Sequence, residues 1–216
     1  MKRAFIILFE MSKNSLRDEK SADSIAKISL RLANDSDAFA IADIFRPIVE
    51  TTATSFSTEA ITSQSIGVKM REVQPVLPWL VGEIGGDLVG YAYAAKHRSL
   101  GAYQWSVETS IYVSPQFHRR GIATRLYSAM LKMLKKQGFY NAYAGITLPN
   151  PASVILHEAI GFKKFCEFQN VGFKLGRWHD VGWWRFALQD RFADQPNVPI
   201  SFERLIIAEP GILASL

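Results

Sequence analysis

The sequence predicts a single mixed α/β domain, and three observations carry that prediction. The first half of the chain reads as a strand meander around one tight turn, Gly85-Gly86-Asp87. In the second half strands alternate with helices, a pattern that layers helices on a central sheet. The 216 residues, 48% hydrophobic and 21% charged, are long enough for a sizeable core and have an ordinary soluble composition.

The elements follow in order. Ser29–Ala33 is the first strand, and Asn34-Asp35-Ser36-Asp37 supplies helix-capping side chains. Ala38, Ile41, Ala42, Phe45 and Val49 recur at helical spacing, with Pro47 expected to end or bend that helix. Thr51–Thr58 reads as a loop around Phe56, and a second helix runs from Thr58 or Glu59 to about Val73. Leu77–Ile84 and Leu88–Ala94 form a hairpin on the glycine turn. A polar loop, Lys96–Tyr103, leads to a strand from Trp105 to Val113, which Ser114-Pro115 ends because proline has no amide for the ladder. The helix entered at Gly121 has one apolar face (Ile122, Leu126, Ala129, Met130, Met133, Leu134) and one basic face (Arg125, Lys132, Lys135, Lys136), and Gly138 closes it. Tyr140–Thr147 is a strand, Asn150-Pro151 opens a helix that stops at Gly161, and Phe162–Val171 and Val181–Leu188 are two more strands. Residues 1–26 are mixed in charge and read as an extension, disordered or preceding a true start at Met11; 27–189 form the domain. From Asp190 the chain has three prolines and no motif, and residues 190–216 read as a tail that packs on the domain or on a partner.

The net charge of +5 and pI near 9.3 admit nucleic acid, a membrane surface or an anionic small molecule as partner. No acidic residue occurs between Glu108 and Glu158, while Arg119, Arg120, Arg125, Lys132, Lys135 and Lys136 do, so the charge is local and favours a ligand with several phosphates. The pattern of basic residues interleaved with aromatics that marks single-strand binders is missing, so nucleic acid is not the expected partner. No stretch approaches the roughly 20 apolar residues of a membrane span, and the N-terminal apolar run is too short and too soon interrupted, by Glu10, for a signal peptide. With a single cysteine, Cys166, no internal disulfide forms, and a cytoplasmic location is expected. His97, His118, His157 and His179 fit no short metal motif, and no metal is expected.

The chemistry concentrates where the Trp105–Val113 strand turns into the next helix. A helix start leaves several N–H groups unpaired and carries partial positive charge, and Gly121 and Ala123 let a phosphate approach the backbone. The turn His118-Arg119-Arg120-Gly121-Ile122-Ala123 resembles the acyl-CoA loop of GNAT N-acetyltransferases, Gln/Arg-x-x-Gly-x-Gly/Ala, with His118 departing at the first position. Together with GITLPNPASVILHEAIGF and VGFKLGRWHDVGWW, it makes the chain from about Ile28 to Leu188 resemble the phosphinothricin and methionine sulfoximine N-acetyltransferases.

That resemblance implies a mostly antiparallel mixed sheet flanked by helices, acetyl-CoA as co-substrate, and direct attack of a small amino-acid-like amine in a ternary complex, the activity behind resistance to phosphinothricin-type herbicides. Glu108 matches the family's base, and in a half-buried apolar setting its pKa would rise toward neutrality. Alternation puts Glu108, Ser110 and Tyr112 on one sheet face and Val107, Thr109, Ile111 and Val113 on the other. Ile111, Tyr112 and Val113 match the strand that pairs with pantetheine through its backbone. Arg119, Arg120, Gly121, Ile122, Ala123 and Thr124 match the pyrophosphate loop; Asn150, with Ser153, matches the cofactor contact near the reacting end. His157 stands where this branch has a histidine, read either as an acid or base near the sulfur or as a structural hydrogen bond. Arg98, Ser99 and Leu100 match the acceptor loop, Arg98 as a bidentate partner for a carboxylate, with Phe56 and Tyr103 as pocket walls. Lys174, Arg177 and Trp178 match a region near the site mouth and dimer interface, implying a homodimer. The alternatives are the same fold acting on a polyamine or a protein N-terminus, a CoA-binding protein without catalysis, and a basic nucleic-acid-binding module.

Overall fold

Alternation and turn chemistry predict seven strands, and the computed structural model, which describes residues 28–190 and 192–212, joins them in one seven-stranded sheet. The strands are β1 (Ile28–Leu32), β2 (Trp79–Ile84), β3 (Asp87–Lys96), β4 (Ser106–Val113), β5 (Asn141–Leu148), β6 (Lys163–Lys174) and β7 (Arg177–Ala187). The helices are α1 (Ala38–Thr51), α2 (Ser63–Val73), α3 (Ile122–Gln137), α4 (Pro151–Ile160) and α5 (Phe202–Ala208). The sheet order is β1-β2-β3-β4-β5-β7-β6, antiparallel at each neighbouring pair except β4–β5. The parallel pair exists because α3 carries the chain across the sheet between β4 and β5, as a parallel connection requires.

The sheet has a core on each face. The apolar stripe of α3 packs on Leu80, Ala92, Ala94, Val107, Ala142 and Trp184. Within that stripe Leu126, Met130 and Met133 are fully buried, each contributing about 1.5–3 kcal/mol relative to exposure. On the opposite face α1 and α2 cover an aromatic floor of Trp79, Tyr91 and Tyr93. Glycines at positive φ cap both ends of α3, Gly121 and Gly138.

Two element expectations are corrected, the start of the second helix and the span of the last hairpin, and two open alternatives are narrowed. Pro47 does not end α1, which continues to Thr51. Proline removes only one N–H, and the following turn is held by Thr52 N–H on Ile48 O and Thr51 Oγ1 on Pro47 O. The second helix starts at Ser63 and not near Thr58, because Thr62 and Ser65 form a reciprocal capping box. The last two strands run past the expected bounds of Val171 and Val181 to meet at a Leu175-Gly176 turn, with bulges absorbing the irregular pattern. The tail packs on the domain: α5 places Phe202 and Leu205 in the α3-side core, and Gln137 bridges Val76 O and Ile200 O through Nε2. Its short amphipathic turn was hidden by the surrounding prolines. The N-terminal extension lies outside the described residues.

A buried ion pair fixes the entry to α1. Asp37, 6% exposed, receives both Arg31 guanidinium nitrogens (2.6 and 2.7 Å) and the Asn34 N–H (2.8 Å). Burial pushes its carboxyl up, but the Arg31 and Asn34 hydrogen bonds outweigh that and hold it below the usual carboxylate range. Its stabilisation is therefore full above the ordinary carboxylate pKa and is lost as pH falls through the depressed native value. Arg31 is one-third exposed and keeps Glu83 as a second partner, so Asp37→Ala is expected to lower unfolding free energy by about 2 kcal/mol at neutral pH, read from urea melts, with the difference from wild type shrinking in acid.

Candidate active site

β4 and β5 pair over only three residues, Ser106–Glu108 against Asn141–Tyr143, and then separate. Beyond that point β4 keeps its ladder with β3 to Val113, and β5 its ladder with β7 to Leu148. The inner edges of Thr109–Val113 and Ala144–Leu148 thus face each other unpaired across a cleft. Thr109 sits at the split, its hydroxyl donating to Tyr143 O at 3.3 Å. The cleft, a cavity of about 60 Å³, is lined by both strand edges and by Thr54, Tyr127, Asn150, Ser153 and His157. An open strand edge is a template for an extended ligand to add to.

At the far end of β4 the chain turns through Pro115–Phe117 into α3. Arg119 (φ 60°) and Gly121 (φ 78°) are both in the left-handed region. A turn of this kind gathers successive N–H groups on one concave side. The first amides of α3, at Ile122, Ala123 and Thr124, have no intrahelical acceptor, no side chain caps this end, and no acid sits in its first turn. Arg119 and Arg120 are exposed beside it, Arg120 lying over the Phe117 ring. His118 departs from the resembled motif, and the structure gives it a job: its Nε2–H donates to Val113 O at 2.9 Å, tying the turn to the end of β4.

Glu108 lies on the α1/α2 face, where Ala95 and Tyr143 are its cross-strand neighbours. Its surroundings are not the apolar ones expected. Oε1 accepts from His97 Nδ1 at 2.9 Å and Arg98 Nη1 at 3.3 Å, and Oε2 takes no partner among the described residues. His97 is held in an aromatic cup by Tyr143 (ring centroids 4.7 Å), Tyr103 (5.8 Å) and Trp183 (6.3 Å). Trp183 lies flat on Gly145, where a Cβ would stand 3.3 Å from the indole.

His157 is 4% exposed and both its nitrogens are engaged. Nδ1–H donates to Ser153 O at 2.7 Å, so Nε2 accepts the Tyr127 hydroxyl at 2.8 Å. Burial lowers the His157 pKa against a smaller upward effect of the Ser153 bond, so the ring is neutral at pH 7. Burial also pushes the Tyr127 hydroxyl well above its ordinary range, keeping it protonated. Asn150 caps α4, its Oδ1 accepting from Ser153 N–H at 3.1 Å, which leaves its amide nitrogen free to donate into the cleft.

The acceptor-loop residues divide. Arg98 reaches Glu108 and also lines, with Ser99, Leu100 and Tyr103, a separate cavity, Tyr103 also touching His97. Phe56 packs on Gly172 and lies near the His179 ring (6.2 Å), and Lys174 Nζ donates to Ser55 O at 2.6 Å, so the loop bearing Phe56 is clasped to the β6–β7 hairpin. Lys174 is therefore buried, while Arg177 and Trp178 are exposed. Among the described residues no three His, Cys, Asp or Glu side chains gather as a metal would need, and no helix is long and apolar enough to cross a membrane.

The Acetyltransferase (GNAT) domain family matches residues 30–183, most of the chain. The chain belongs to the GNAT acetyltransferase family. It is 39% identical over 174 residues to a phosphinothricin N-acetyltransferase of Streptomyces viridochromogenes, covering 81% of this chain and 95% of that one. It is 30% identical over 168 residues to an L-methionine sulfoximine/L-methionine sulfone acetyltransferase of Salmonella typhimurium, covering 77% and 98%. Among solved structures, a phosphinothricin acetyltransferase from Sinorhizobium meliloti in complex with AcCoA superposes with a TM-score of 0.75 at 29% identity, covering 79% of this chain and 94% of that one. The mixed, mostly antiparallel sheet expected of a GNAT enzyme is the one observed.

Sequence reasoning missed His97, Tyr127, Tyr143 and Trp183 as functional neighbours. Placing Tyr143 beside the β4 carboxylate needed the β4–β5 register. Tyr127 was masked by the apolar face of α3 to which it belongs. Placing His97 needed the β3–β4 register, and placing Trp183 the β5–β7 register.

Proposed function

We propose that this acetyltransferase moves acetyl from acetyl-CoA to the primary amine of a small amino-acid-like acceptor, by direct attack within a ternary complex. The observation that carries the reading is the cleft where β4 and β5 part beside Glu108. The split edges receive the pantetheine arm through the backbone of Ile111, Tyr112 and Val113, and the amides of Arg119–Thr124, with the two arginines, hold the pyrophosphate. Those residues fit the group: the turn is cationic, and at Gly121 the space a Cβ would enter is open. Asn150 Nδ2 donates near the reacting end.

Glu108 takes the ammonium proton, directly or through a water, using the free Oε2 while His97 and Arg98 hold Oε1. Transfer joins the amine nitrogen to the acetyl carbon and releases the sulfur. Tyr127 donates to the developing thiolate charge, and His157 positions Tyr127 by accepting its hydroxyl in the resting site. This assigns His157 a positioning role in place of either role left open by the sequence. Arg98 is half exposed beside Glu108, where the acceptor carboxylate can share its guanidinium.

The names of the two curated relatives support phosphinothricin, methionine sulfoximine and methionine sulfone as acceptors. Thiol release measured against those three, ordinary amino acids, a polyamine and an N-terminal peptide tests this. The amino-acid analogues are expected to be preferred, and turnover with peptide or polyamine alone would overturn the acceptor class. The β6–β7 hairpin, whose β6 strand is a sheet edge, exposes Phe165, Phe168, Val171, Phe173 and Trp178, an apolar surface suited to a second copy of the chain. Light scattering is expected to give twice the chain mass of 24.3 kDa, and a monomer at working concentration would remove the homodimer.

A further inference from the structure

A cavity of about 300 Å³ lies apart from the cleft and is not lined by Glu108. The domain contributes Leu77, Val107 and Phe139, and the C-terminal segment closes the opposite side with Val198, Pro199 and Ile200. That closing wall lies beyond the matched family span, which ends at residue 183. It is pinned, not draped: Ile200 N–H donates to Gln137 O at 2.8 Å, Gln137 Nε2 to Ile200 O at 2.9 Å, and Trp105 Nε1 to Asn197 O at 2.8 Å. Two cations, Lys96 and Arg98, stand in the lining, and no carboxylate does. Arg98 is partly engaged with Glu108, but Lys96 has no ion-pair partner among the described residues.

Apolar walls with an uncompensated cation at one side select a small molecule with a short hydrocarbon body and one negative end. From this the geometry points to a second ligand site, for a short-chain monocarboxylate, built between the acceptor loop and the C-terminal segment. The hydrocarbon lies against Leu100, Pro199 and Ile200, over a floor formed by Phe139, and the carboxylate meets Lys96, with Arg98 as the second donor. The site does not depend on the acceptor reading above. It shares only Arg98 and the loop through Tyr103 with that reading.

The probe is hexanoate, titrated calorimetrically into the full chain with acetyl-CoA both absent and saturating. Saturable binding is expected in both cases, with hexan-1-ol, which has the same chain and no charge, about tenfold weaker. Lys96→Gln, at an exposed strand end, is expected to weaken hexanoate about tenfold, the scale of one charge-assisted hydrogen bond. Val198→Trp, an exposed position on the tail wall, is expected to abolish binding by filling the mouth. An unchanged thermal midpoint in both variants separates loss of the site from loss of the fold. Absence of heat at millimolar hexanoate overturns the site. So does binding that survives both substitutions, or that disappears when acetyl-CoA saturates the cleft and so belongs there.

Discussion

Glu108→Gln is expected to lower kcat by about 10²–10⁴-fold near neutral pH while leaving acetyl-CoA affinity unchanged. The substitution is nearly isosteric and keeps an oxygen for His97 and Arg98, so the local hydrogen bonds to Oε1 survive. It removes the proton acceptor, and among the described residues no second carboxylate pairs with His97 or Arg98 to replace it. Glu108 does not line the cleft between β4 and β5, which is why cofactor binding should be untouched. Calorimetry with acetyl-CoA and initial rates across pH separate the two effects. Turnover within threefold of wild type would remove Glu108 from the base role and turn attention to its value as a partner for Arg98.

Tyr127→Phe is expected to cost about 10²-fold in kcat, the range seen when one donor to developing charge is deleted, with little change in either KM. Tyr127 borders the cleft and is completely buried, so Phe fills the same space. What is lost is one O–H and, with it, the partner of His157 Nε2. His157→Ala should reproduce much of the kcat loss because the Tyr127 hydroxyl is no longer held, and His157→Gln, which retains an acceptor, should recover part of it. A purely structural His157 would move thermal stability in both variants without that graded recovery in kcat. An unchanged kcat for Tyr127→Phe would leave the thiolate to be protonated from solvent.

The corrected environment of Glu108 alters the physical argument for its chemistry. A carboxylate in an apolar pocket is primed by desolvation. This one stands between an imidazole and a guanidinium, and His97 is itself confined by three aromatic rings. On the proposed base role, geometry at Oε2 and the acceptor's claim on Arg98 take the place of burial.

Much was legible from local pattern because the governing interactions are local. The period of two on Trp105–Val113 assigned Val107 and Glu108 to opposite faces, and the period near 3.6 after Gly121 located the buried stripe of α3. Gly121 and Gly138 marked both ends of that helix because the left-handed backbone there favours glycine. The basic, acid-free stretch and the phosphate-loop spacing were equally readable, being properties of one turn and one helix start.

Other features depended on residues far apart in the chain and needed the tertiary structure. The parting of β4 from β5 after Tyr143 is a matter of register between strands joined only through α3, and no periodicity encodes it. The pairing of Tyr127 with His157 spans two helices, and the cup around His97 collects a loop, β5 and β7. The C-terminal segment, which local composition left as a tail, is made a wall by hydrogen bonds to Gln137 and Trp105. Short-range preference determines which elements form and which way their side chains point. Where unpaired backbone meets a buried histidine, and where a carboxylate meets an imidazole and a guanidinium, is decided by long-range contacts, whose energies exist only once the sheet is assembled.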